Sequence, residues 1–317
     1  MSKTAVVILS AGEPLKPDAL KNFFLRLYND PYLFAFPYFR NLLTKFHAGR
    51  KLKPAIFEYE SVINQSEYKN SVREFVNKLK GELKARNLDA DVYHAARYTV
   101  PLIRKISIKV TDGNYDSVVV TTVNPFYSKV ISGSFFREWE KVHGQKKNSV
   151  NVTEFYNQKN FVAAVSERIA ITLRDHQLEK PDNPLILFAA ESASPIEVEN
   201  GDPYVDQLKE TCELVMSNFS GYKYKLGYYN HLILDKMLSP SVDDLIKNAD
   251  TKNVVVVPLS SPGLDFHTFY KLKIELKNIA TASGIKTYCV AGGILESEKF
   301  NTCMVSIVKG ALKFAEM

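Results

Sequence analysis

Short runs of apolar, β-branched residues alternate along the chain with longer stretches whose apolar positions recur at three- and four-residue spacing. The runs predict strands at Ala5–Leu9, Val92–Arg97, Ser117–Val123, Leu185–Ala189, Asn253–Pro258 and Lys286–Val290. Val254 to Val257 is unbroken valine, and a strand apolar on both faces belongs in a parallel sheet covered by helices on both sides. The stretches between have readable ends. Asp18 is placed to cap a helix over Ala19–Tyr28, whose apolar positions are Leu20, Phe23, Phe24 and Leu27. Asp202 is placed to cap a second helix over Tyr204–Phe219, with Pro203 at its first position. Pro240–Ser241 opens a third that runs to about Asn248, and Phe161–Leu178 reads as a fourth.

Strand–helix alternation implies right-handed βαβ units. They fall in two blocks, predicting an α/β protein of two Rossmann-like lobes, residues 1–165 and 166–317, each a parallel sheet flanked by helices, with a cleft between them. The polar stretch Glu179–Asn183 reads as a hinge loop. Ligands of such sheets sit at the carboxyl ends of the strands. Those ends are Ser10–Pro14, Arg97–Pro101, Val123–Ser128, Ala190–Ser194 and Leu259–His267, and none carries a nucleotide-type glycine-rich loop.

With 317 residues, 45% of them hydrophobic, the chain can bury one large or two medium cores. A net charge of +6 suits an anionic ligand or surface. Cys212, Cys289 and Cys303 are far apart and form neither a disulfide framework nor a metal-ligand spacing, which points to a reducing compartment. His47, His94, His143, His176 and His231 share no metal-ligand spacing and read as packing or surface residues, so no metal site is assigned. The aromatic residues outside 32–39 are scattered and build no stacking platform for nucleic acid. No apolar run approaches the roughly 20 residues that span a bilayer, and a strand starting at Thr4 leaves no room for a targeting segment.

At the strand ends the chain resembles the ferrochelatases. Gly12-Glu13-Pro14 and Phe24-Leu25-Arg26-Leu27-Tyr28 are similar to the family's opening Gly-Gly-Pro and Phe-Leu-Arg-Leu-Phe. Arg97-Tyr98, Pro125-Phe126-Tyr127-Ser128 with Gly133-Ser134, and Gly201-Asp202-Pro203-Tyr204 match further motifs in the family's order and at its separations. The resemblance implies a two-lobed chelatase fold and, as the family reaction, insertion of Fe2+ into protoporphyrin IX in haem biosynthesis. It places Arg50 and Lys51 where two arginines meet the porphyrin propionates, and Tyr59, Ser66, Arg97 and Tyr127 beside the same ligand. It also implies that the aromatic segment 32–39, rich in Tyr32, Phe34, Phe36, Tyr38 and Phe39, forms an apolar lip that touches a membrane, although a buried core segment reads equally well. Eukaryotic members are membrane-associated dimers in mitochondria, so the family implies a homodimer and a mitochondrial location, whereas the chain itself reads as cytoplasmic. It has no cysteine cluster at its carboxyl end to carry an iron–sulfur cluster.

The catalytic segments depart from the family. The family histidine before Gly-Asp-Pro-Tyr is replaced by Glu191. In the second catalytic segment the histidine has become Asp265, the glutamate His267, and two further acidic residues Lys271 and Lys273. The family's glycine-rich loop has become Val62-Ile63-Asn64-Gln65-Ser66-Glu67. His267, Lys271 and Glu275, spaced by four, are expected on one helix face, where Lys271 would repel a dication. These changes favour a pseudoenzyme: a ferrochelatase-like protein with little or no chelatase activity, kept for binding a porphyrin, haem or a partner. Two alternatives stand beside it, an active divalent-metal chelatase using Glu191 and His267 as a swapped pair, and an interaction protein without a tetrapyrrole ligand.

Overall fold

The computed structural model describes residues 3–34, 39–65, 68, 71–178, 184–230 and 236–315. The chain forms two compact units, one running to Phe155 and including the residues from Met304 on, the other Tyr156–Cys303. The boundary expected after residue 165 falls inside helix α6, defined below, which lies wholly within the second unit.

The first unit contains β1 (Thr4–Ser10), α1 (Pro17–Tyr28), α2 (Arg40–Ile63), α3 (Ser71–Ala85), β2 (Ala90–Ala96), α4 (Ile103–Asp112), β3 (Ser117–Thr122), α5 (Ile131–His143) and β4 (Ser149–Asn151). The second contains α6 (Lys159–Asp175), β5 (Leu185–Glu191), α7 (Pro195–Glu199), α8 (Tyr204–Met216), β6 (Tyr224–Tyr229), α9 (Val242–Lys247), β7 (Asn253–Pro258), α10 (Phe266–Phe269), a π-helical turn (Tyr270–Glu275), α11 (Leu276–Ala282) and β8 (Thr287–Val290). Helix α12 (Glu298–Ala315) closes the chain.

Each unit holds a four-stranded, fully parallel sheet, in the orders β2-β1-β3-β4 and β6-β5-β7-β8. The central strands are the ones with unbroken apolar runs. In β5 the residues Leu185, Leu187 and Ala189 pack on one face with Val254, Val256, Leu272 and Leu276. All seven residues of β1 are fully or partly buried. In both sheets the strand order reverses at the first strand, so the crevice for a ligand opens past the carboxyl ends of β1 and β3 in the first unit and of β5 and β7 in the second.

All six expected strands form. The sequence pattern missed β4, only three residues long, and β6, whose apolar positions are interrupted by Lys225 and Gly227. Gly227 is there for space, since a Cβ would lie 2.7 Å from Leu245 Cδ1 of α9. The Asp18 cap is corrected: α1 starts at Pro17 with Lys16 in the cap position, and Asp18 sits in the first turn, where a carboxylate favours the helix dipole. The Asp202 cap is corrected too: Pro203 takes the cap position of α8, Asp202 before it accepts from the Tyr204 amide at 3.0 Å, and the helix ends at Met216 rather than Phe219. Ser241 caps α9 by accepting from the Asp244 amide at 3.0 Å. The expected hinge Glu179–Asn183 lies outside the described residues.

Gly12 sits just past β1 with φ +87°, and a Cβ there would lie 2.1 Å from Thr99 Oγ1. Left-handed backbone and a clash together make Gly12→Ala costly. We expect a loss of about 2–3 kcal/mol in urea unfolding, with partial recovery when Thr99→Gly removes the clash. An unchanged unfolding midpoint would contradict this account of the turn.

Candidate active site

In the second unit, Glu191 is the last residue of β5, next to the strand reversal. Its amide donates to Ser260 Oγ at 2.7 Å, and its carbonyl accepts from the Tyr204 hydroxyl at 2.9 Å. These two contacts, from the loop after β7 and from α8, fix the strand end. Its carboxyl is pushed up to about 8 by burial first and the neighbouring charge of Asp265 second, against the opposing pull of His267. Burial, and then the charge of Glu191, likewise raise the Tyr229 hydroxyl well above its ordinary value, so it stays protonated.

Asp265 caps α10 and gathers three donors: the Thr268 amide at 3.0 Å, the Thr268 hydroxyl at 3.1 Å and the Ser261 hydroxyl at 2.9 Å. Because Thr268 spends its proton on Asp265, the Tyr229 hydroxyl must be the donor in its 3.0 Å contact with Thr268. His267 is buried beside this chain. A main-chain carbonyl only accepts, so His267 Nε2 donates to the Asn230 oxygen at 2.7 Å, which fixes the ring. Glu191, Asp265 and His267 thus meet at the carboxyl end of one sheet.

The expected single face of His267, Lys271 and Glu275 is corrected. From Tyr270 the helix widens into the π turn; Lys271 and Glu275 still meet as their spacing expects, while His267, in α10 before the turn, is held elsewhere. His267 turns to the end of β6, while Lys271 Nζ reaches Asp243 of α9 at 3.0 Å and Glu275 at 2.8 Å. Burial pulls the Lys271 ammonium down, but the bonds and charges of Glu275 and Asp243 outweigh it and hold it above the ordinary lysine value. The Tyr288 hydroxyl donates to the Leu272 carbonyl at 2.5 Å and pins the same turn. Lys271 is therefore enclosed by two carboxylates and does not stand as an open positive charge. Irregular turns of this kind recur at functional sites.

In the first unit, Arg97 follows β2 and is held by Asp30 through Nε at 2.9 Å and by Glu138 through Nη1 at 3.1 Å. Asp30 is buried and also accepts from Ser134 at 2.6 Å and Tyr98 at 2.9 Å. Burial pushes its carboxyl up, but Ser134 and Arg97 overcome that and hold it below the ordinary carboxylate range. Arg97 is thus largely a clamp between carboxylates. Arg50 is exposed and Lys51 half-buried on α2, with Tyr59 buried two turns on. Tyr127 is half-buried past β3, and Ser66 lies outside the described residues. Glu13, just past β1, accepts from the Tyr68 hydroxyl, and burial followed by the Glu13 charge raises the Tyr59 hydroxyl. Of the lip, Tyr32 and Phe34 are half-buried, Phe39 is exposed, and residues 35–38 lie outside the described residues. Among the described residues no helix is long and apolar enough to cross a membrane, and no group of three or more His, Cys, Asp or Glu is placed to hold a metal ion.

Asp243, Ser260, Tyr204 and Tyr229 were not singled out from the sequence as site residues. Only Tyr204 carried a signal, as the end of the Gly-Asp-Pro-Tyr motif.

Two parallel sheets with polar clusters past their reversing strands define a chelatase-type fold. Solved structures agree. SirB from Bacillus subtilis with Fe3+ aligns with TM-score 0.60 at 10% identity over 100% of this chain and 98% of that one. CbiX, the terminal enzyme for biosynthesis of siroheme in denitrifying bacteria, aligns with TM-score 0.56 at 11% identity over 97% and 99%. The ferrochelatase family model matches residues 3–312, and the chain belongs to the ferrochelatase family. It is 27% identical to the ferrochelatase of Aquifex aeolicus over 97% of this chain and 99% of the relative, and 29% identical to that of Citrifermentans bemidjiense over 98% and 99%.

Removing Lys271 leaves Asp243 and Glu275 facing each other without their cation. Because both are partly exposed, Lys271→Met is expected to cost about 2 kcal/mol in chemical denaturation, below the 3–5 kcal/mol typical of a fully buried pair. A variant as stable as the parent would show that the pair does not hold the π turn.

Proposed function

We propose that this protein inserts a divalent metal into a dicarboxylate tetrapyrrole, with Glu191 and His267 as its proton-handling groups. The observation that carries this reading is the Glu191 carboxyl at the end of β5, brought to about 8 by its surroundings, in a chain of the ferrochelatase family. A group near neutrality is suited to exchange protons at working pH. The expectation of a disabled site rested on Glu191, Lys271, Lys273 and the changed loop together; of these, Lys271 is enclosed by Asp243 and Glu275, which supports the active reading on that one point.

In insertion, each of two pyrrole N–H bonds gives its proton to a base and its electron pair to the incoming dication. Glu191 accepts only after losing its own proton. His267, held through Nε2 by the Asn230 carbonyl, is assigned to the second proton. Arg50 and Lys51 are assigned the ligand's carboxylates, where cations are favoured.

The test is anaerobic insertion of ferrous iron into a dicarboxylate porphyrin. The rate is expected to rise with pH through about 8 and to fall on the order of 100-fold in both Glu191→Gln and His267→Ala. Porphyrin binding without turnover above the protein-free control would overturn insertion and leave a binding protein.

We also propose that α2 rests on an anionic membrane surface. Phe39 (79% exposed), Leu42 (67%), Phe46 (59%) and Phe57 (62%) share a face at helical spacing, with Lys45, Arg50 and Lys53 nearby. Apolar side chains flanked by cations suit an interfacial helix. Vesicles containing anionic lipid should co-sediment the protein, and Leu42→Ser/Phe46→Ser/Phe57→Ser should abolish this; equal binding of parent and variant would contradict it.

A further inference from the structure

Two half-buried cations are paired with carboxylates, Arg97 with Asp30 and Glu138, and Lys271 with Asp243 and Glu275. Arg137, also half-buried, is held differently. It lies on α5 between Ser134 and Glu138, the two residues of that helix that contact Arg97. Arg137 Nη2 donates to the Lys129 carbonyl at 2.6 Å, and its guanidinium carbon stands 4.5 Å from the centre of the Tyr32 ring. A carbonyl and an aromatic face hold a cation in place without cancelling its charge. Its Nε is buried without a hydrogen bond, and no carboxylate among the described residues pairs with the guanidinium. A cation drawn partly out of water in this way lacks an anion. Its place in the fold says where that anion comes from. Lys129 and Tyr127 belong to the loop past β3, at the edge where the crevice of the first unit opens. Gly133, one turn before Arg137, keeps this corner open: a Cβ there would lie 3.1 Å from the Tyr127 hydroxyl and 3.4 Å from Arg137 Nη1.

We propose that Arg137 is a specificity-determining residue that takes an ionised carboxylate of the tetrapyrrole at the crevice of the first unit. The inference rests on the tetrapyrrole reading above and adds to Arg50 and Lys51 a cation whose direction is already set. A guanidinium fixed by Lys129 and Tyr32 loses little side-chain freedom on binding, and its planar N–H groups match the two oxygens of a carboxylate. An ester in the same place keeps a carbonyl acceptor but brings no charge, so Arg137 selects the ionised acid against its neutral derivative. Arg137 acts on the rim of the ligand and not on the reacting nitrogens, so its loss weakens binding of the acid and leaves the proton-handling groups in place.

The experiment titrates the full chain with protoporphyrin IX and with its dimethyl ester in the same detergent, following binding by the Soret shift. The parent is expected to bind the acid more tightly than the ester. Arg137→Met should weaken the acid about tenfold and leave the ester unchanged, the ester showing that the variant keeps its fold. Gly133→Ala keeps the arginine but crowds its Nη1 and the Tyr127 hydroxyl, and should give a smaller loss confined to the acid. A merely structural role would weaken both ligands alike. Acid bound as tightly by Arg137→Met as by the parent, or acid and ester lost equally in both variants, would overturn the assignment of Arg137 while leaving the tetrapyrrole reading intact. No Soret shift of either ligand with the parent would overturn both.

Discussion

The chemistry proposed for this chain depends on the confinement of two carboxyl groups, Glu191 and Asp265, at the end of one parallel sheet. A parallel sheet covered on both faces leaves its carboxyl edge as the place where polar groups can gather, and the reversal of strand order beside β5 opens that edge. Burial and mutual repulsion then make it unfavourable for both groups to be charged. Burial first and the Asp265 charge second push the Glu191 carboxyl up to about 8, while Asp265 collects Ser261 and Thr268. This arrangement also bears on stability. A carboxyl raised from its ordinary value is protonated in the folded chain and ionised in the unfolded one at intermediate pH. Its contribution is therefore complete below the ordinary carboxylate range and is lost as pH rises towards 8.

Near this site a half-buried lysine is accommodated by pairing. Lys271 draws Asp243 of α9 and Glu275 onto the π turn, and Tyr288 takes the Leu272 carbonyl. The first unit solves a similar problem at its own strand ends. There Asp30 collects Arg97, Tyr98 and Ser134, so that the segment after β2 is held by charge and hydrogen bonds rather than by regular structure. In both units a buried charge is satisfied by several partners, as the cost of burying it alone requires.

Much of the architecture was legible in the sequence because continuous β-branched runs have few other uses. Val254–Val257 and Leu185–Ala189 identified two strands and their burial on both faces. Strand β6 was not legible, because the pattern is broken by Lys225 and by Gly227, whose small size serves contact with α9. The family resemblance drew attention to Glu191 and His267, but their surroundings were not legible. The raised Glu191 carboxyl owes most to burial and next to Asp265, and the enclosure of Lys271 depends on Asp243, surroundings brought together only by the fold. The π turn likewise has no sequence signature that separates it from the α-helix around it, so regular spacing foresees the Lys271–Glu275 contact but not the separate place of His267 at the Asn230 carbonyl.

The most direct measurement is the infrared carbonyl band of the protonated Glu191 carboxyl, isolated as the difference between parent and Glu191→Gln in the resting protein and followed across pH. The account predicts a band present at pH 7 that disappears around pH 8. Loss of the band already in the ordinary carboxylate range would mean that Glu191 is ionised at neutral pH, and the division of roles between the two carboxyl groups would be contradicted.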